Sequence, residues 1–219
     1  MTNKQLKQAK QNQAPFWVPD FVNDEYFQHE LVIDRSRFIC VIGRCASVEQ
    51  AKKFIQRLKD EYPDARHHCY AYVAGRPDDS QCHGFSDDGE PSGTAGKPML
   101  LAVQGSGLGE VCAVVVRYFG GIKLGTGGLQ RAYGGSVRET LAQLKTTKVV
   151  PQQVLPLICA YDQLSDVKHF LIQYQGQVIN EDFGAQVMLE LSLPISEVEA
   201  FRAHLFEHFN GQLLLPEAR

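Results

Sequence analysis

The segment from Cys112 to Gly135, CAVVVRYFGGIKLGTGGLQRAYGG, joins three kinds of local structure without a break. Val111–Phe119 is an almost continuous apolar run, typical of a strand that is covered on both faces of a sheet. Residues 120–128, the glycine loop, contain five glycines, and the pattern that follows predicts a helix over about 128–144. Such an order points backbone N–H groups and the positive end of a helix at one spot, which favours an anion.

The glycine loop does not fit the known nucleotide-binding patterns. A P-loop needs Lys directly before Ser or Thr, but here Lys123 stands too early in the loop. A dinucleotide fingerprint started at Gly125 would need glycine where Gln130 stands. Two interpretations remain: a general anion site with nearby cations, or glycines that let the backbone turn sharply and pack closely.

A second dense motif, DDGEPSGTAGKP, spans residues 87–98 and is called the acidic loop below. Together with Asp78 and Asp79, its Asp87, Asp88 and Glu90 could gather around a hard cation such as Mg²⁺. The acids show no recognised ligand spacing, however, and short acids beside Gly and Pro commonly form turns or helix caps. The sequence therefore predicts neither a metal nor a cofactor.

Histidine and cysteine side chains give weaker hints of chemistry. His67, His68 and Cys69 begin a predicted strand, and Cys82-His83 follow in the next loop. A thiol nucleophile or a zinc site can be imagined there, but the spacings that would support either are absent. Cys40, Cys69, Cys112 and Cys159 lie in apolar surroundings and are predicted to pack as small hydrophobic side chains.

Composition limits the classes of function. The chain has 219 residues and a net charge of −3, split into +3 over residues 1–150 and −6 over residues 151–219. Neither part has the basic excess of a dedicated nucleic-acid domain, but the first is better suited to phosphate contact. The polar N-terminus lacks the apolar core of a secretory signal, which predicts a cytoplasmic protein with no membrane contact.

Periodicity predicts an N-terminal domain over residues 20–148, after a disordered leader at 1–19. A hairpin is predicted from strands 27–33 and 38–42, followed by a helix that Ser47 and Gln50 cap. A strand at 68–74, a long irregular stretch at 75–93 and a helix from about Thr94 precede the central strand. Residues 152–219 read as strand, helix, two strands, helix and a last strand at 212–215, the ferredoxin-like βαββαβ order.

Four motifs in this order make the chain similar to the bacterial branch of the Impact family, formerly the UPF0029 group: SRF at 36–38, DARHHCY at 64–70, the acidic loop, and VVVRYFGGIKLGTGGLQRAYGG at 114–135. The resemblance runs from about Asp20 to the end of the chain. It implies an α+β protein with an N-terminal domain like the second domain of ribosomal protein S5 and domain IV of elongation factor G. It also implies a ferredoxin-like C-terminal domain and a general link to translation or its regulation.

These observations lead to three functional hypotheses. The first is a noncatalytic protein that binds structured RNA or the ribosome, without evident DNA specificity, through Lys97, Arg117, Gly120, Gly121, Lys123, Gly125, Thr126, Gly127, Gly128 and Arg131. The second is an enzyme acting on an anionic substrate, with Asp87, Asp88 or Glu90 as acid, base or metal ligand and His67 or Arg117 orienting the substrate. The third is a protein–protein adaptor, which the resemblance to the Impact family implies because its eukaryotic members modulate translation through a protein partner.

Overall fold

The computed structural model describes residues 14–22 and 24–216, which form two compact units, Phe16–Val149 and the segment from Val150 onward. Most of the predicted leader, residues 1–13, lies outside the described residues. Phe16–Pro19, which the sequence assigned to that leader, instead form strand β1 and pair antiparallel with Thr146–Val149. The leader prediction is wrong for these four residues, because the apolar Phe16-Trp17-Val18 finds a partner strand about 130 positions along the chain.

The first unit is built on a five-stranded antiparallel sheet in the order β2-β3-β6-β4-β5. Its remaining elements are three helices and the short ribbon of β1 with β7. The strands and helices after β1 are β2 (Tyr26–Ile33), β3 (Ser36–Arg44), α1 (Val48–Glu61), β4 (His67–Val73), β5 (His83–Ser86), α2 (Gly96–Ser106), β6 (Val111–Tyr118), α3 (Gly125–Leu141) and β7 (Thr146–Val149).

Helices cover both faces of this sheet. Met99, Val103 and Val137 of α2 and α3 pack on one face, and Phe54 and Leu58 of α1 pack on the other. Strand β6 contributes buried side chains to both cores, which confirms the central position predicted for it. A strand with an uninterrupted run of valines can bury its side chains on both faces of the sheet, whereas a strand that alternates apolar and polar residues buries only one face.

Local signals in the sequence explain several boundaries. Asp34 and Arg35 both adopt positive φ, as a two-residue hairpin turn requires. The Gln50 N–H donates to Ser47 Oγ at 3.2 Å, which confirms the predicted cap of α1. The long irregular stretch predicted at 75–93 contains strand β5, whose glycine lets the ring of Tyr72 lie against the backbone at Gly84.

The second unit contains β8 (Gln152–Cys159), α4 (Leu164–Gln173), β9 (Gln177–Phe183), β10 (Val187–Pro194) and α5 (Val198–His208). Its sheet has the order β8-β10-β9, all antiparallel, as a split βαβ unit requires. Residues 212–215, the last predicted strand, do not form a strand. Leu213 and Leu215 are buried in the core, but their backbone pairs with no strand, so the alternation of apolar residues there reflects burial and not a β-strand.

The molecule is thus a two-domain α+β protein, as predicted. Among the described residues, no helix is both long enough and apolar enough to cross a bilayer. All five elements of the second unit's strand–helix–strand–strand–helix core overlap the predicted ones. The largest differences are in β8, which begins three residues before the strand predicted at 155–160, and in β9, which ends three residues after the strand predicted at 177–180.

Candidate functional site

The two glycine-containing loops meet in one pocket of about 340 Å³ at the N-terminal end of α3. Its walls combine the start of β4, the acidic loop, the end of β6 and the first turn of α3. The residues that line it are Arg66, His67, Glu90, Pro91, Arg117, Phe119, Lys123, Leu124, Gly125, Thr126 and Leu129. Three cations and one carboxylate therefore face a cavity whose remaining wall is mainly apolar.

A buried ion pair forms the floor of this pocket. Arg117 Nη1 lies 2.6 Å from Glu90 Oε1, and both side chains are more than nine-tenths buried. Tyr133 also donates its hydroxyl to Glu90 Oε1 at 2.8 Å. Burial raises the pKa of Tyr133, so the hydroxyl keeps its proton and remains a donor.

One polar atom of this floor is left without a partner. The Nε–H of Arg117 is buried and forms no hydrogen bond with any described residue. The guanidinium also lies against two aromatic rings, with its carbon 5.3 Å from the centre of Phe38 and 5.5 Å from that of Phe119. A buried donor without a partner costs folding free energy, and in a native protein such a donor is an indication of a ligand or of bound water.

The first turn of α3 adds further unpartnered donors. Its N-cap residue is Leu124, and no side chain of a described residue accepts a hydrogen bond from the N–H groups of residues 125–128. Gly125, Gly127 and Gly128 carry no side chains that would cover these groups. The turn therefore presents uncovered amides and the positive end of a 17-residue helix.

The carboxylates of the acidic loop are, by contrast, occupied within the fold. Asp87 accepts hydrogen bonds from the N–H groups of Gly93, Ala95 and Gly96 at 2.8–2.9 Å, so it caps the start of α2. Burial opposes its ionisation, but the three backbone donors outweigh burial and hold the pKa of Asp87 below its usual value. Asp87 does not line the pocket.

Asp88 is engaged in a similar way. One oxygen accepts from the N–H of His68 at 2.7 Å, and the other lies 3.0 Å from Nζ of Lys59. These partners outweigh burial and lower the pKa of Asp88. No three His, Cys, Asp or Glu side chains in residues 14–22 and 24–216 are grouped so that they could hold a metal ion.

The histidines and cysteine beside this loop also have structural partners. His67 Nδ1–H donates to the carbonyl of Asp88 at 2.9 Å, and the ring lines the pocket. Buried His68 bonds the carbonyl of Tyr62 through Nε2, and burial lowers its pKa. Burial raises the pKa of Cys69 to about 12, which is unfavourable for a thiolate nucleophile at neutral pH.

The structure brings some of the predicted phosphate-contacting residues together and leaves others apart. Arg117, Lys123, Gly125 and Thr126 line the pocket, together with Glu90 and His67 of the alternative hypothesis. The exposed Lys97 and Arg131 lie on α2 and α3 and do not line it. One cavity thus contains part of the predicted anion site and part of the predicted acidic site, and Asp87 and Asp88 lie outside it.

The glycines of the glycine loop also differ in the reason for which the fold needs glycine. A side chain on Gly120 would overlap the backbone carbonyl of Arg35, so glycine is needed there for packing. Gly121 and Gly125 adopt positive φ, which the turn into α3 requires, whereas a side chain on Gly127 would only approach Arg131 at 3.5 Å. On Gly128 it would crowd Leu124.

Sequence reasoning missed three residues of the site. Arg66 belongs to the DARHHCY motif, which predicts no role for it, and the apolar run before the glycine loop predicts only that Phe119 ends a strand. Tyr133 lies on the predicted helix after the glycine loop. Its ring is buried in the core, and its hydroxyl also donates to Glu90. Arg66 stands next to His67 in a quoted motif, and Phe119 directly precedes the glycine loop, so both could have been proposed as site residues. Nothing in the sequence pairs Tyr133 with Glu90, which lies 43 positions away.

Comparison with known proteins agrees with this architecture. A family model of the Impact N-terminal domain matches residues 34–141, and a model of a domain of unknown function (DUF1949) matches residues 157–212. The chain is 52% identical over 183 residues to the IMPACT family member YigZ of Escherichia coli strain K12, covering 84% of this chain and 90% of that one.

Two further likenesses extend over most of the chain. The IMPACT family member YvyE of Bacillus subtilis strain 168 is 40% identical over 192 residues, with 88% of each chain covered. A solved structure described as the crystal structure of a hypothetical protein superposes with a TM-score of 0.69 at 47% identity, covering 94% of this chain and 98% of that one.

Proposed function

The chain belongs to the Impact family, and on that premise we propose that it is a translation-associated binding protein whose Phe16–Val149 unit contacts phosphate groups of structured RNA or of the ribosome. The contact is made at the pocket where the acidic loop and the glycine loop meet. The second unit serves as a spacer or contacts a protein, since its sequence carries the −6 share of the charge.

A single observation carries this proposal: Arg117, whose buried Nε–H has no partner among the described residues, lines the same pocket as the uncovered N-terminus of α3. Each of these features alone is common in proteins. Together they supply a guanidinium donor and several backbone donors within one cavity, which is the arrangement that a phosphate oxygen needs.

The surroundings of the pocket suit a polyanion better than a small isolated anion. Arg66 and Lys123 are exposed at its rim and form no ion pair with described residues. Arg35, also exposed, lies at the hairpin turn whose backbone contacts Gly120. These three cations add long-range attraction for phosphates outside the cavity, and such attraction weakens with salt.

The state of the carboxylates favours binding over catalysis. Glu90 accepts hydrogen bonds from both Arg117 and Tyr133 through the same oxygen, and Asp87 and Asp88 are held by backbone donors outside the cavity. To act as a general base or metal ligand, Asp87 and Asp88 would first have to give up these partners and reach the cavity. An enzyme that uses these two acids therefore requires a rearrangement that the binding hypothesis does not.

The proposal can be tested by sedimentation and by direct binding. Wild-type protein is mixed with purified Escherichia coli ribosomes, and separately with a fluorescein-labelled RNA hairpin, at about 50 mM and about 200 mM salt. The test variant is Arg66→Ala/Lys123→Ala, and Lys52→Ala on the exposed side of α1 is the control. We expect the wild type and the control to bind with a steep loss at the higher salt.

The double variant should bind more weakly and with a shallower salt dependence, because about two phosphate contacts are removed. Equal binding by the double variant and the wild type would exclude the pocket as the contact site. Failure of the wild type to bind either probe at the lower salt would overturn the proposed function itself.

A further inference from the structure

Phe119 is an exposed aromatic ring that the core does not use. More than half of its surface, 55%, is accessible, and it lies directly after β6 in the wall of the pocket. Arg117, two positions earlier, places its guanidinium carbon 5.5 Å from the ring centre. An isolated exposed aromatic ring needs no explanation, but this one stands beside the donors that face the proposed phosphate.

The volume and the apolar lining of the cavity also indicate a ligand that is larger than a phosphate group. At about 340 Å³ it is at the small end of ligand pockets, and Pro91, Leu124 and Leu129 line it together with Phe119. A surface that only follows a sugar–phosphate backbone needs charges and hydrogen-bond donors. Apolar walls next to those donors fit a flat, partly apolar group attached to the anion.

In an RNA duplex the base faces are covered by their neighbours, and only base edges are open to a protein. An aromatic ring on a concave wall can therefore stack only on a base that has left the helix. Loops, bulges and single strands offer such bases, and aromatic side chains are their usual stacking partners.

From this arrangement we infer that the pocket takes one unpaired RNA nucleotide, with its base stacked on Phe119 and its phosphate at Arg117 and the N-terminus of α3. The inference rests on the proposed function and names the part of an RNA that the site selects. Arg66 and Lys123 then contact the neighbouring phosphates of the same strand.

The experiment compares three fluorescein-labelled probes by anisotropy: a 12-nucleotide single strand, the blunt duplex of the same sequence, and the single strand with abasic positions at its centre. The variants are Phe119→Ala, Phe119→Trp and the control Phe85→Ala, an exposed ring on β5 that does not line the pocket. Thermal unfolding confirms that each variant is folded, as expected for exposed positions.

Phe119→Ala should weaken binding of the single strand about tenfold, in line with the loss of one stacked base, and leave duplex binding unchanged. The abasic probe should bind wild type as weakly as the intact strand binds Phe119→Ala, and it should lose nothing further in that variant. Phe119→Trp should retain affinity, and in a Trp17→Phe background its emission should fall when RNA is added.

Two outcomes separate this inference from the proposed function. Weaker binding in Arg66→Ala/Lys123→Ala with no effect of Phe119→Ala would overturn the nucleotide assignment and leave phosphate binding in place. No effect of either variant would overturn both. If AMP or UMP competes as well as the 12-nucleotide strand, the site belongs to free nucleotides and the assignment to a strand is wrong.

Discussion

Helices α2 and α3 both begin in glycine-rich loops, yet their N-termini differ in what they face. The N-terminus of α2 has a carboxylate of its own, because Asp87 accepts hydrogen bonds from Ala95 and Gly96. The N-terminus of α3 has no such partner among the described residues and opens into the pocket. A helix whose positive end is neutralised internally stabilises the fold, whereas one left uncovered can bind an external anion.

The comparison shows that glycine content alone does not mark a binding loop. In the acidic loop, the fold uses the carboxylates to hold the loop in place. In the glycine loop, the fold uses Gly120 for close packing but leaves Lys123 exposed. Whether a loop of this kind serves the fold or a ligand depends on which charged groups remain without partners.

The largest expected effect comes from breaking the buried ion pair between Arg117, near the end of β6, and Glu90 of the acidic loop. Arg117→Ala should lower the free energy of unfolding of the first unit by about 3–5 kcal/mol, because it leaves a buried carboxylate unpaired. Urea unfolding followed by the emission of Trp17, the chain's one tryptophan, reports on this unit. Glu90→Gln in the same background should restore part of the loss; a loss below about 1 kcal/mol would show that water replaces the pair.

Removing the carboxylate of Asp87, which caps the N-terminus of α2, should have the next largest effect. Asp87→Ala leaves three backbone N–H groups without their acceptor and should cost about 2–3 kcal/mol in the same urea experiment. Asp64→Ala, an exposed acid before β4, is the matched control and should change stability by less than about 0.5 kcal/mol. Similar values for the two variants would contradict the capping role of Asp87.

Acid should remove the stabilisation that the two aspartates of the acidic loop provide. The folded protein lowers the pKa of Asp87 and of Asp88, so their contribution is complete above the unfolded value, about 4, and is lost as pH falls through the lower folded pKa. Urea midpoints of the wild type and Asp87→Asn/Asp88→Asn should therefore differ at pH 7 and converge below about pH 4. A constant difference across this range would mean that neither group titrates with folding.

The smallest effect on stability is expected when α3 is given an acid of its own. Thr126→Asp places a carboxylate in the first turn and should stabilise the protein by about 0.3–1 kcal/mol through the helix dipole. The same carboxylate should compete with phosphate and weaken binding of the RNA hairpin, whereas Thr126→Asn should leave binding close to wild type. Unchanged RNA binding in Thr126→Asp would show that phosphate does not reach this turn.

The sequence predicted the fold where the signal was local or dominant. The valines of β6 indicated a strand covered on both faces, and Ser47 with Gln50 indicated the start of α1. It missed β1, β5 and β7, which have four residues each. β1 and β7 are defined by each other across about 130 positions, and β5 is a short strand inside the stretch that the sequence predicts to be irregular. It also counted 212–215 as a strand, since Leu213 and Leu215 alternate toward the core without a ladder partner.

The site was predicted in part, for a similar reason. Arg117 and Lys123 stand in the motif that attracts attention, and both line the pocket. The Gly and Pro neighbours of Asp87 indicated a turn or cap role, and the structure confirms it. The amides that it caps lie six to nine positions further on, a spacing that matches no named motif, so these partners could not be predicted from the sequence. Contact of any of these residues with phosphate stays a prediction until binding is measured.

The pairing of β1 with β7 has a topological consequence. Phe16 lies opposite Val149 in that ribbon, so the first and last residues of the unit are neighbours. A domain with adjoining ends can be circularly permuted, with Val149 joined to Phe16 by a short linker and new ends opened elsewhere on the surface. The same geometry would allow the unit to be grafted into a surface loop of a host protein as a self-contained cassette.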